Sequence, residues 1–388
     1  MIIGELPPLS LYLHMPWCVR KCPYCDFNSH TAGPQVPKER YVDAVIADLE
    51  MEAESGRAAG RPVTSIFIGG GTPSLFSGSQ LARVLAAVRA LFEVRRDAEI
   101  TMEANPGTVE CGDLPGYREA GINRLSIGAQ SFNSSILQSL GRIHGPAEIV
   151  KSVKAARDAG FHRINLDLMF ALPGQDLKLA QADIEQALSL EPSHISYYQL
   201  TLEPNTVFYS KPPANLPSEE VAWDIQQLGQ QMLHAAGFEQ YEISAYARPG
   251  ERCVHNLNYW HFGDYLGAGA GAHGKFTATD SGVWRYAKPA HPFAYMERAE
   301  RRQFGSPPVA VAAGDLGFEY LLNVLRLPEG FCETELRQRT GLRLAALQPR
   351  LDRAAKKGLI ESVNGADWKP TALGWQFLND LQAEFLPD

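Results

Sequence analysis

The sequence predicts an α/β fold in which a largely parallel sheet is covered by helices. Short apolar runs alternate with helical patterns over about the first 250 residues, in the rhythm of repeated β–α units. Most of these runs are nearly continuous in apolar residues, as in strands that are buried on both faces. Six or so repeats suit a complete or partial (β/α) barrel or an open doubly wound sheet. In each of these folds the chemistry lies at the carboxyl ends of the strands.

The strands are predicted from their apolar runs and the helices from their periodicity. In chain order, the predicted strands are Leu9–Met15, Val63–Gly70, 99–105, Arg124–Gln130, Arg163–Phe170, 194–200 and 239–247. The clearest helix carries an apolar stripe at the 3.6-residue period, formed by Leu81, Val84, Leu85, Val88, Leu91 and Phe92. A second helix is predicted at 147–159, where Gly160 ends it.

The rhythm changes after about Pro204, and the composition changes again after Pro307-Pro308. We therefore divide the chain into a core at 1–247, an irregular connecting region at 248–308 and a C-terminal domain at 309–388. The last part is predicted to contain helices at 315–325, 333–340, 347–357 and 374–385, with a hairpin through Asn364-Gly365 to Trp368. Helices followed by such a hairpin indicate a winged-helix-like domain.

Charge argues against a nucleic-acid partner. The chain has 36 Lys and Arg against 44 Asp and Glu, a net charge of −8. Residues 310–388 carry nine basic and eleven acidic residues, whereas a DNA-binding winged helix usually has a basic face. A docking or substrate-capping role is therefore favoured for this domain. The sequence has no run of 18 apolar residues and no recognisable secretory signal at its start, which predicts a cytoplasmic protein.

Three of the six cysteines, Cys18, Cys22 and Cys25, form a C-x3-C-x2-C motif directly after the first predicted strand. Three thiolates at this spacing can hold three irons of a cubane cluster and leave the fourth iron open for an outside ligand. Zinc is the alternative, although a structural zinc site needs four ligands, for which Asp26 and His30 are near enough in sequence. Cys111 and Cys332 are predicted to be unreactive thiols.

Polar residues follow or interrupt the predicted strands where a bound ligand would lie. Gly69-Gly70-Gly71-Thr72-Pro73 ends the second strand, either as a plain tight turn or as bare backbone that a ligand can approach. Glu103, Gln130 and Asp167 lie in the next three strands. Each could have a structural hydrogen-bonding role, because burying a polar group without a partner is costly. Their positions on successive strands of one sheet favour a common ligand.

With Tyr24 before its third cysteine, the motif resembles that of the radical S-adenosylmethionine (SAM) superfamily. In that superfamily the open iron of a [4Fe–4S] cluster binds the amino and carboxylate groups of SAM, and an electron from the cluster cleaves SAM to a 5′-deoxyadenosyl radical. The resemblance implies a partial (β/α)6 barrel. More specifically, the whole chain resembles the oxygen-independent coproporphyrinogen III oxidase-like family through residues 11–18, 69–74, 127–132 and 165–169.

This family pattern implies a SAM site of nine residues. By resemblance, the residues around SAM are Tyr12, Tyr24, Gly70, Gly71, Thr72, Glu103, Gln130, Arg142 and Asp167. Arg142 suits a carboxylate, which a guanidinium group binds with two hydrogen bonds.

Two departures separate this chain from the oxidases of the family. The oxidases have a further cysteine two positions after the third one, where this chain has Phe27, and a longer segment before the cluster motif. Both departures match the haem chaperones of the family. The resemblance thus implies haem as cargo, an acceptor protein such as one in the respiratory membrane, and an electron donor for the cluster. The alternatives are radical decarboxylation of coproporphyrinogen III and, less favoured, a haem- or redox-sensing regulator.

The H-N-x-x-Y-W motif of this chaperone group is present as His255, Asn256, Tyr259 and Trp260. By resemblance these residues are implicated in haem handling. An imidazole can bind iron, and aromatic rings offer flat faces to a porphyrin. Alternatively, the motif packs a loop, with His255 bonded to a backbone carbonyl. Cys253 and His273 are further candidate iron ligands, and the sequence alone does not choose among them.

Overall fold

The structure is a computed structural model, and it describes residue 3 and residues 5–33, 35–109, 113–304 and 306–387. Strands and helices alternate in its first half. The strands are β1 (Leu9–Met15), β2 (Trp17–Cys18), β3 (His30–Thr31), β4 (Val63–Gly70), β5 (Val94–Ala104), β6 (Arg124–Gln130), β7 (Arg163–Phe170) and β8 (His194–Gln199). The helices are α1 (Lys38–Glu54), α2 (Gly78–Leu91), α3 (Pro106–Val109), α4 (Leu114–Ala120), α5 (Ser134–Ser139), α6 (Pro146–Asp158), α7 (Leu177–Ser189) and α8 (Val207–Ser210).

Six of these strands form the predicted parallel sheet. β1, β4, β5, β6, β7 and β8 are neighbours in that order, and every pairing among them is parallel. This arrangement confirms the partial (β/α)6 barrel. β5 begins at Val94, earlier than predicted. Its first residues include the exposed, charged Arg95, Arg96 and Asp97, and a prediction based on apolar runs does not recognise such residues as part of a strand.

The apolar pattern explains why these segments form strands and helices. Leu9, Leu11 and Leu13 of β1 are fully buried, as expected for an inner strand of a parallel sheet. Helix α2 begins with a capping box formed by Ser77 and Gln80 and buries the predicted stripe against the sheet. These contacts fix the carboxyl ends of the parallel strands at one edge of the barrel.

The next part of the chain extends the sheet at both edges. Its elements are α9 (Glu219–Ala235), β9 (Glu239–Glu242), β10 (Ala245–Ala247), α10 (Val254–Trp260), β11 (Asp264–Ala268), β12 (His273–Ala278), β13 (Gly282–Ala287), α11 (Pro292–Glu300) and β14 (Val309–Ala310). β11 pairs in parallel with β1, and β12, β13 and β14 follow in antiparallel order. At the other edge, β10 pairs antiparallel with β8 and with β9.

This geometry differs from the irregular connecting region that the composition predicted. Residues 248–308 contain a helix that carries the H-N-x-x-Y-W motif and three strands of the main sheet. The predicted strand 239–247 is two short antiparallel strands. The glycines and prolines suggested irregular structure, but several of them lie in turns between short strands, where φ is positive at Gly269, Gly271 and Gly282.

A buried lysine joins this region to the barrel. Lys288 follows β13, and its Nζ lies 2.6 Å from Asp48 Oδ1 and 2.6 Å from Glu52 Oε1 of α1. All three side chains are almost completely buried. Glu52 also pairs with Arg57 at 2.9 Å, so removing Lys288 would leave Asp48 in a low-dielectric environment without this cationic partner.

We therefore expect Lys288→Met to lower the free energy of unfolding by about 3–5 kcal/mol, because it breaks a buried ion pair by removing one partner. Urea denaturation measures this change. The control is Lys154→Met, which removes an exposed lysine that pairs with Asp158 on the surface, and should change stability by less than about 0.5 kcal/mol. Equal effects of the two substitutions would contradict the structural role of Lys288.

The C-terminal part has the predicted winged-helix-like outline. Its elements are α12 (Ala313–Val324), β15 (Phe331–Cys332), α13 (Glu333–Thr340), α14 (Gln348–Lys356), β16 (Ile360–Ser362), β17 (Asp367–Pro370), α15 (Ala372–Gln376) and α16 (Leu378–Ala383). β16 and β17 form the predicted hairpin, and β17 also pairs with β15. The helix predicted at 374–385 is two short helices, since Phe377 leaves helical geometry at ψ 53°.

The core of this part continues into the preceding region. Leu316, Tyr320 and Leu321 of α12 pack in one apolar cluster with Phe262 and Val283. α12 therefore lies against the sheet extension. None of the helices in the described ranges combines the length and the apolar composition that are needed to cross a bilayer.

Candidate functional site

The three motif cysteines lie on one loop at the carboxyl end of β1. Cys18 ends β2, and its carbonyl accepts a hydrogen bond from Ala32 N at 2.8 Å, which holds the two ends of the loop together. Cys22 and Cys25 follow within the loop, and none of the three forms a disulfide. All three line a cavity of about 360 Å³, which we call the cysteine cavity. Its thiols can therefore act together on one ligand.

Eight of the nine residues implied as the SAM site also line the cysteine cavity. They are Tyr24, Gly70, Gly71, Thr72, Glu103, Gln130, Arg142 and Asp167. They come from the cysteine loop, from the ends of β4 to β7 and from the segment after α5. The ninth residue, Tyr12, lines a neighbouring cavity instead.

The glycine run after β4 approaches the cysteine loop closely. Gly71 N donates to Met15 O at 2.7 Å, and Thr72 N donates to Trp17 O at 2.7 Å. Gly70 has φ +105°, and a Cβ there would lie 2.3 Å from the His14 ring. Only glycine both adopts this positive φ readily and avoids a clash with the His14 ring. This segment is therefore more than a plain tight turn.

Arg142 brings a buried positive charge to the cysteine cavity. Its Nη1 lies 3.7 Å from Cys22 Sγ, and its Nη2 donates to Gly128 O at 2.8 Å and to Asn105 Oδ1 at 3.1 Å. Its Nε is buried and has no hydrogen-bond partner among the described residues. This guanidinium can stabilise a thiolate-bound cluster and bind a carboxylate in the cavity.

Two carboxyl groups face the cavity from β5 and β7, the strands on either side of β6. Glu103 Oε2 accepts a hydrogen bond from Gly70 N at 2.8 Å, and burial together with the nearby Asp167 raises the pKa of Glu103 to about 7. Burial also raises the pKa of Asp167, although Asn165 and Ser126 donate hydrogen bonds to it at 2.7 and 3.1 Å. A cationic ligand would stabilise both groups in their ionised form.

The raised pKa predicts how stability depends on pH. From pH about 4.5 to about 7, the unfolded chain ionises Glu103 while the folded chain keeps it protonated, so the fold loses stability as pH rises. In wild type the ionisation of Glu103 in the unfolded chain costs the fold about 3 kcal/mol by pH 8, and Glu103→Gln should remove this cost. The stability advantage of the variant should therefore be larger at pH 8 than at pH 5. Urea denaturation of the cluster-free protein at both pH values tests this. The exposed Glu119→Gln is the control, and parallel profiles for Glu103→Gln and wild type would refute the assignment.

Gln130 has a strained backbone at the end of β6. Its φ is +67°, in the left-handed region that residues other than glycine rarely adopt, and its Oε1 accepts a hydrogen bond from Tyr198 OH at 2.9 Å. Such strain is found preferentially at functional sites. Tyr198, Asn105 and Met169 also line the cavity, and none of the three was predicted from the sequence to be a site residue. Tyr198 could have been identified as a site residue from its position near the end of the sixth parallel strand.

The residues present fit a [4Fe–4S] cluster and SAM. Three free thiols share one cavity, with an arginine beside one of them and two buried carboxyl groups of raised pKa farther in. A [4Fe–4S] cluster held by three thiolates has one iron open to an outside ligand. SAM carries a positively charged ammonium and a positively charged sulfonium, which the two carboxylates could stabilise. As for the zinc alternative, Asp26 lines the cavity, but His30 does not and packs edge to face against His291.

A larger cavity of about 640 Å³ adjoins the cysteine cavity, and we call it the aromatic cavity. The two share Asp26, Phe27, Gly70 and Glu103 as lining residues. The aromatic cavity is lined by rings from the barrel, from α10, from the following loop and from β11, namely Tyr12, Phe67, Tyr259, Trp260, Phe262 and Tyr265. Its volume and lining suit a large flat aromatic ligand.

The H-N-x-x-Y-W residues divide between two cavities. Tyr259 and Trp260 line the aromatic cavity, whereas His255 and Asn256 line a separate polar cavity of about 180 Å³ inside the barrel. His255 is buried, stacks on Phe67 at 4.2 Å between ring centroids, and has Nδ1 2.8 Å from Glu99 Oε1. Its partner is therefore a carboxylate, not the backbone carbonyl that the packing alternative expected.

Glu99, Cys253 and His255 offer three donor atoms within 4.8 Å of one another. Their surroundings favour a hydrogen-bonded network over a metal site. Although burial acts in the opposite direction, the hydrogen bond from His255 and the charges of Arg124 and Arg163 hold the pKa of Glu99 well below its usual range. Burial raises the pKa of Cys253, which keeps the thiol protonated.

The structure describes one of the two cysteines that have no predicted binding role. Cys111 lies outside the described residues. Cys332 precedes α13, and its Sγ accepts a hydrogen bond from Glu335 N at 3.3 Å. Cys332 thus caps a helix and lies apart from both cavities.

Comparison with known proteins agrees with this geometry. The family model of the radical SAM superfamily matches residues 12–187. The heme chaperone HemW of Escherichia coli (strain K12) is 49% identical over 385 residues, which cover 99% of this chain and 100% of the relative. The heme chaperone HemW of Haemophilus influenzae is 45% identical over 386 residues, with 99% of each chain covered.

A solved structure shows the same fold. Coproporphyrinogen III oxidase (HemN) from Escherichia coli, described as a radical SAM enzyme, superposes with a TM-score of 0.82. The match covers 98% of this chain and 90% of the oxidase at 24% identity. At this identity the likeness establishes the architecture and not the activity.

Proposed function

Because this chain belongs to the HemW family of radical SAM proteins, we propose that it binds haem and transfers the haem to acceptor proteins. The observation that supports this proposal most directly is the aromatic cavity beside the cysteine cavity. Tyr259 and Trp260 would contact the porphyrin faces. His255 and Asn256 would belong to the same haem site by supporting α10, the helix that carries both rings.

The cysteine cavity would hold a [4Fe–4S] cluster and SAM. Cys18, Cys22 and Cys25 would bind three irons, and the remaining lining residues would bind SAM at the fourth. When bound, the cluster and SAM supply one-electron chemistry at the sulfonium. Arg142 would orient the SAM carboxylate, and Glu103 and Asp167 would face its positive charges. Tyr12, which lines only the aromatic cavity, would lie between the SAM and haem sites.

Residues 309–388 would form a domain that caps the haem site. Asn323 of α12 lines the aromatic cavity, and the Arg326 guanidinium lies 4.2 Å from the centre of the Trp260 ring. A movement of α12 would therefore uncover the cavity and let haem leave. In this proposal, 1–247 is the radical SAM core and 248–308 connects it to the cap. By family resemblance, the acceptor would be a respiratory membrane protein, and an electron donor would reduce the cluster.

A haemin titration tests the proposed function. Anaerobically reconstituted protein should show a saturable Soret shift at about one equivalent of haemin, and no saturable change would refute haem binding. A parallel assay with dithionite, SAM and coproporphyrinogen III should yield no protoporphyrinogen. Formation of that product would establish the alternative, oxygen-independent coproporphyrinogen III dehydrogenase activity, in place of the chaperone proposal.

A further inference from the structure

We propose that His273 is the axial ligand of the haem iron in the aromatic cavity. This inference deepens the proposed function and rests on it. His273 begins β12, is exposed, and lines the aromatic cavity. Within the described parts of the chain its imidazole forms no hydrogen bond, so a ring nitrogen is available to a metal in the cavity.

The other histidine of the aromatic cavity has no free nitrogen. His14 is buried, with Nδ1 2.8 Å from Tyr12 OH and Nε2 2.9 Å from Asn28 O. His255 lines the polar cavity, where Phe67 covers its ring and Glu99 holds Nδ1. His14 would have to break a buried hydrogen bond before it could bind iron, and His255 faces a different cavity with its Nε2 3.4 Å from Cys253 Sγ, whereas neither restriction applies to His273.

Most of the other donor types in this cavity are also unsuited. Haem iron is bound in proteins by histidine, cysteine thiolate, methionine or tyrosinate. No cysteine or methionine is found among the described residues that line the aromatic cavity. Of its tyrosines, Tyr12 and Tyr259 have pKa values that burial raises, which disfavours the phenolate.

The sheet extension fixes the position of His273 relative to its neighbours. His273 pairs with Ala287 of β13, and its carbonyl lies 2.1 Å from where a Cβ on Gly267 of β11 would be. Such close packing holds the backbone in place before haem binds. His273 and Lys275 lie on the same face of β12, and Lys275 is opposite Arg285 and Tyr265, which also line the cavity. This face forms one wall, and Tyr259 and Trp260 of α10 supply rings from another element.

The test compares haemin titrations of wild type, His273→Ala and His255→Ala, followed by optical and EPR spectra. His273→Ala should bind haemin at least about tenfold more weakly and lose the spectrum of histidine-ligated haem, and added imidazole should restore that spectrum. His273→Met should replace it with the spectrum of a different axial ligand. His162→Ala, which changes an exposed histidine outside the cavity, is the control and should match wild type.

Two results would overturn the assignment while leaving haem binding intact. One is a His273→Ala spectrum and affinity equal to those of wild type. The other is that His255→Ala loses the spectrum of histidine-ligated haem and regains it when imidazole is added, while His273→Ala binds haemin as wild type does. A wild-type chain with no saturable haemin shift would instead refute the proposed function itself, so the two failures are distinguishable. Circular dichroism and the iron content of the cluster should be unchanged in His273→Ala, because its side chain is exposed.

Discussion

Replacing Cys22 with serine is expected to abolish the visible absorbance of the reconstituted cluster and its acid-labile sulfide. The structure places Cys22 Sγ in the cysteine cavity with the other two motif thiols, 3.7 Å from Arg142 Nη1. A hydroxyl is a poor ligand for iron in such clusters, which proteins hold through thiolates. Anaerobic reconstitution followed by iron and sulfide analysis and an optical spectrum measures the loss.

The control for this experiment is Cys332→Ser. Cys332 also has a free thiol, but its Sγ only caps α13 by accepting a hydrogen bond from Glu335 N, which a serine hydroxyl can replace. Iron and sulfide contents should equal those of wild type. Full cluster content in Cys22→Ser would show that the three-thiolate assignment is wrong.

Replacing Tyr259 and Trp260 together with alanine is expected to weaken haemin binding by about a hundredfold or more and to leave the cluster intact. Both rings line the aromatic cavity, and burying an aromatic side chain against a ligand contributes about 1.5–3 kcal/mol. The cysteine cavity contains neither residue. Haemin titration and cluster spectra of the same sample separate the two effects.

Trp223→Ala is the matched control, since Trp223 lies on α9, is exposed, and lines neither cavity. It should bind haemin as wild type does. If the double variant bound haemin with wild-type affinity, the aromatic cavity would not be the haem site. If it lost the cluster as well, the two cavities would be structurally dependent on each other, which would contradict their separate roles.

The barrel could be predicted because its signals are local. Apolar runs marked β1, β4, β6 and β7 at the bounds that the structure has. Since the strands are parallel neighbours in one sheet, polar residues that interrupt their apolar runs, such as Glu103 and Asp167, were expected to face a common ligand. The cysteine cavity confirms that they line one space.

The aromatic cavity could not be predicted because it depends on long-range pairing. β11 pairs with β1 across about 250 residues of chain, and nothing in the local pattern of either strand specifies the other. That pairing brings Tyr265 and His273 near Tyr12. The split of the H-N-x-x-Y-W residues also depends on tertiary structure, since α10 directs His255 into the barrel while Tyr259 and Trp260 line the other cavity.

Two further features of the site could not be predicted from the local sequence. The left-handed backbone of Gln130 is imposed by the surrounding structure, since glutamine itself does not favour it. The partner of His255 is a glutamate at the start of the buried part of β5, more than 150 residues earlier in the chain. Sequence reasoning could identify the chemical groups in these cases, but not which of them would be in contact.

The EPR spectrum of the dithionite-reduced, anaerobically reconstituted protein, recorded before and after SAM is added, tests the proposed cluster site most directly. This experiment tests whether Cys18, Cys22 and Cys25 hold a cluster with one iron that is accessible from the cavity lined by Glu103 and Asp167. We expect the signal of a reduced [4Fe–4S] cluster whose g values shift when SAM binds. A zinc-containing protein without sulfide, or a cluster signal that SAM leaves unchanged, would contradict this assignment.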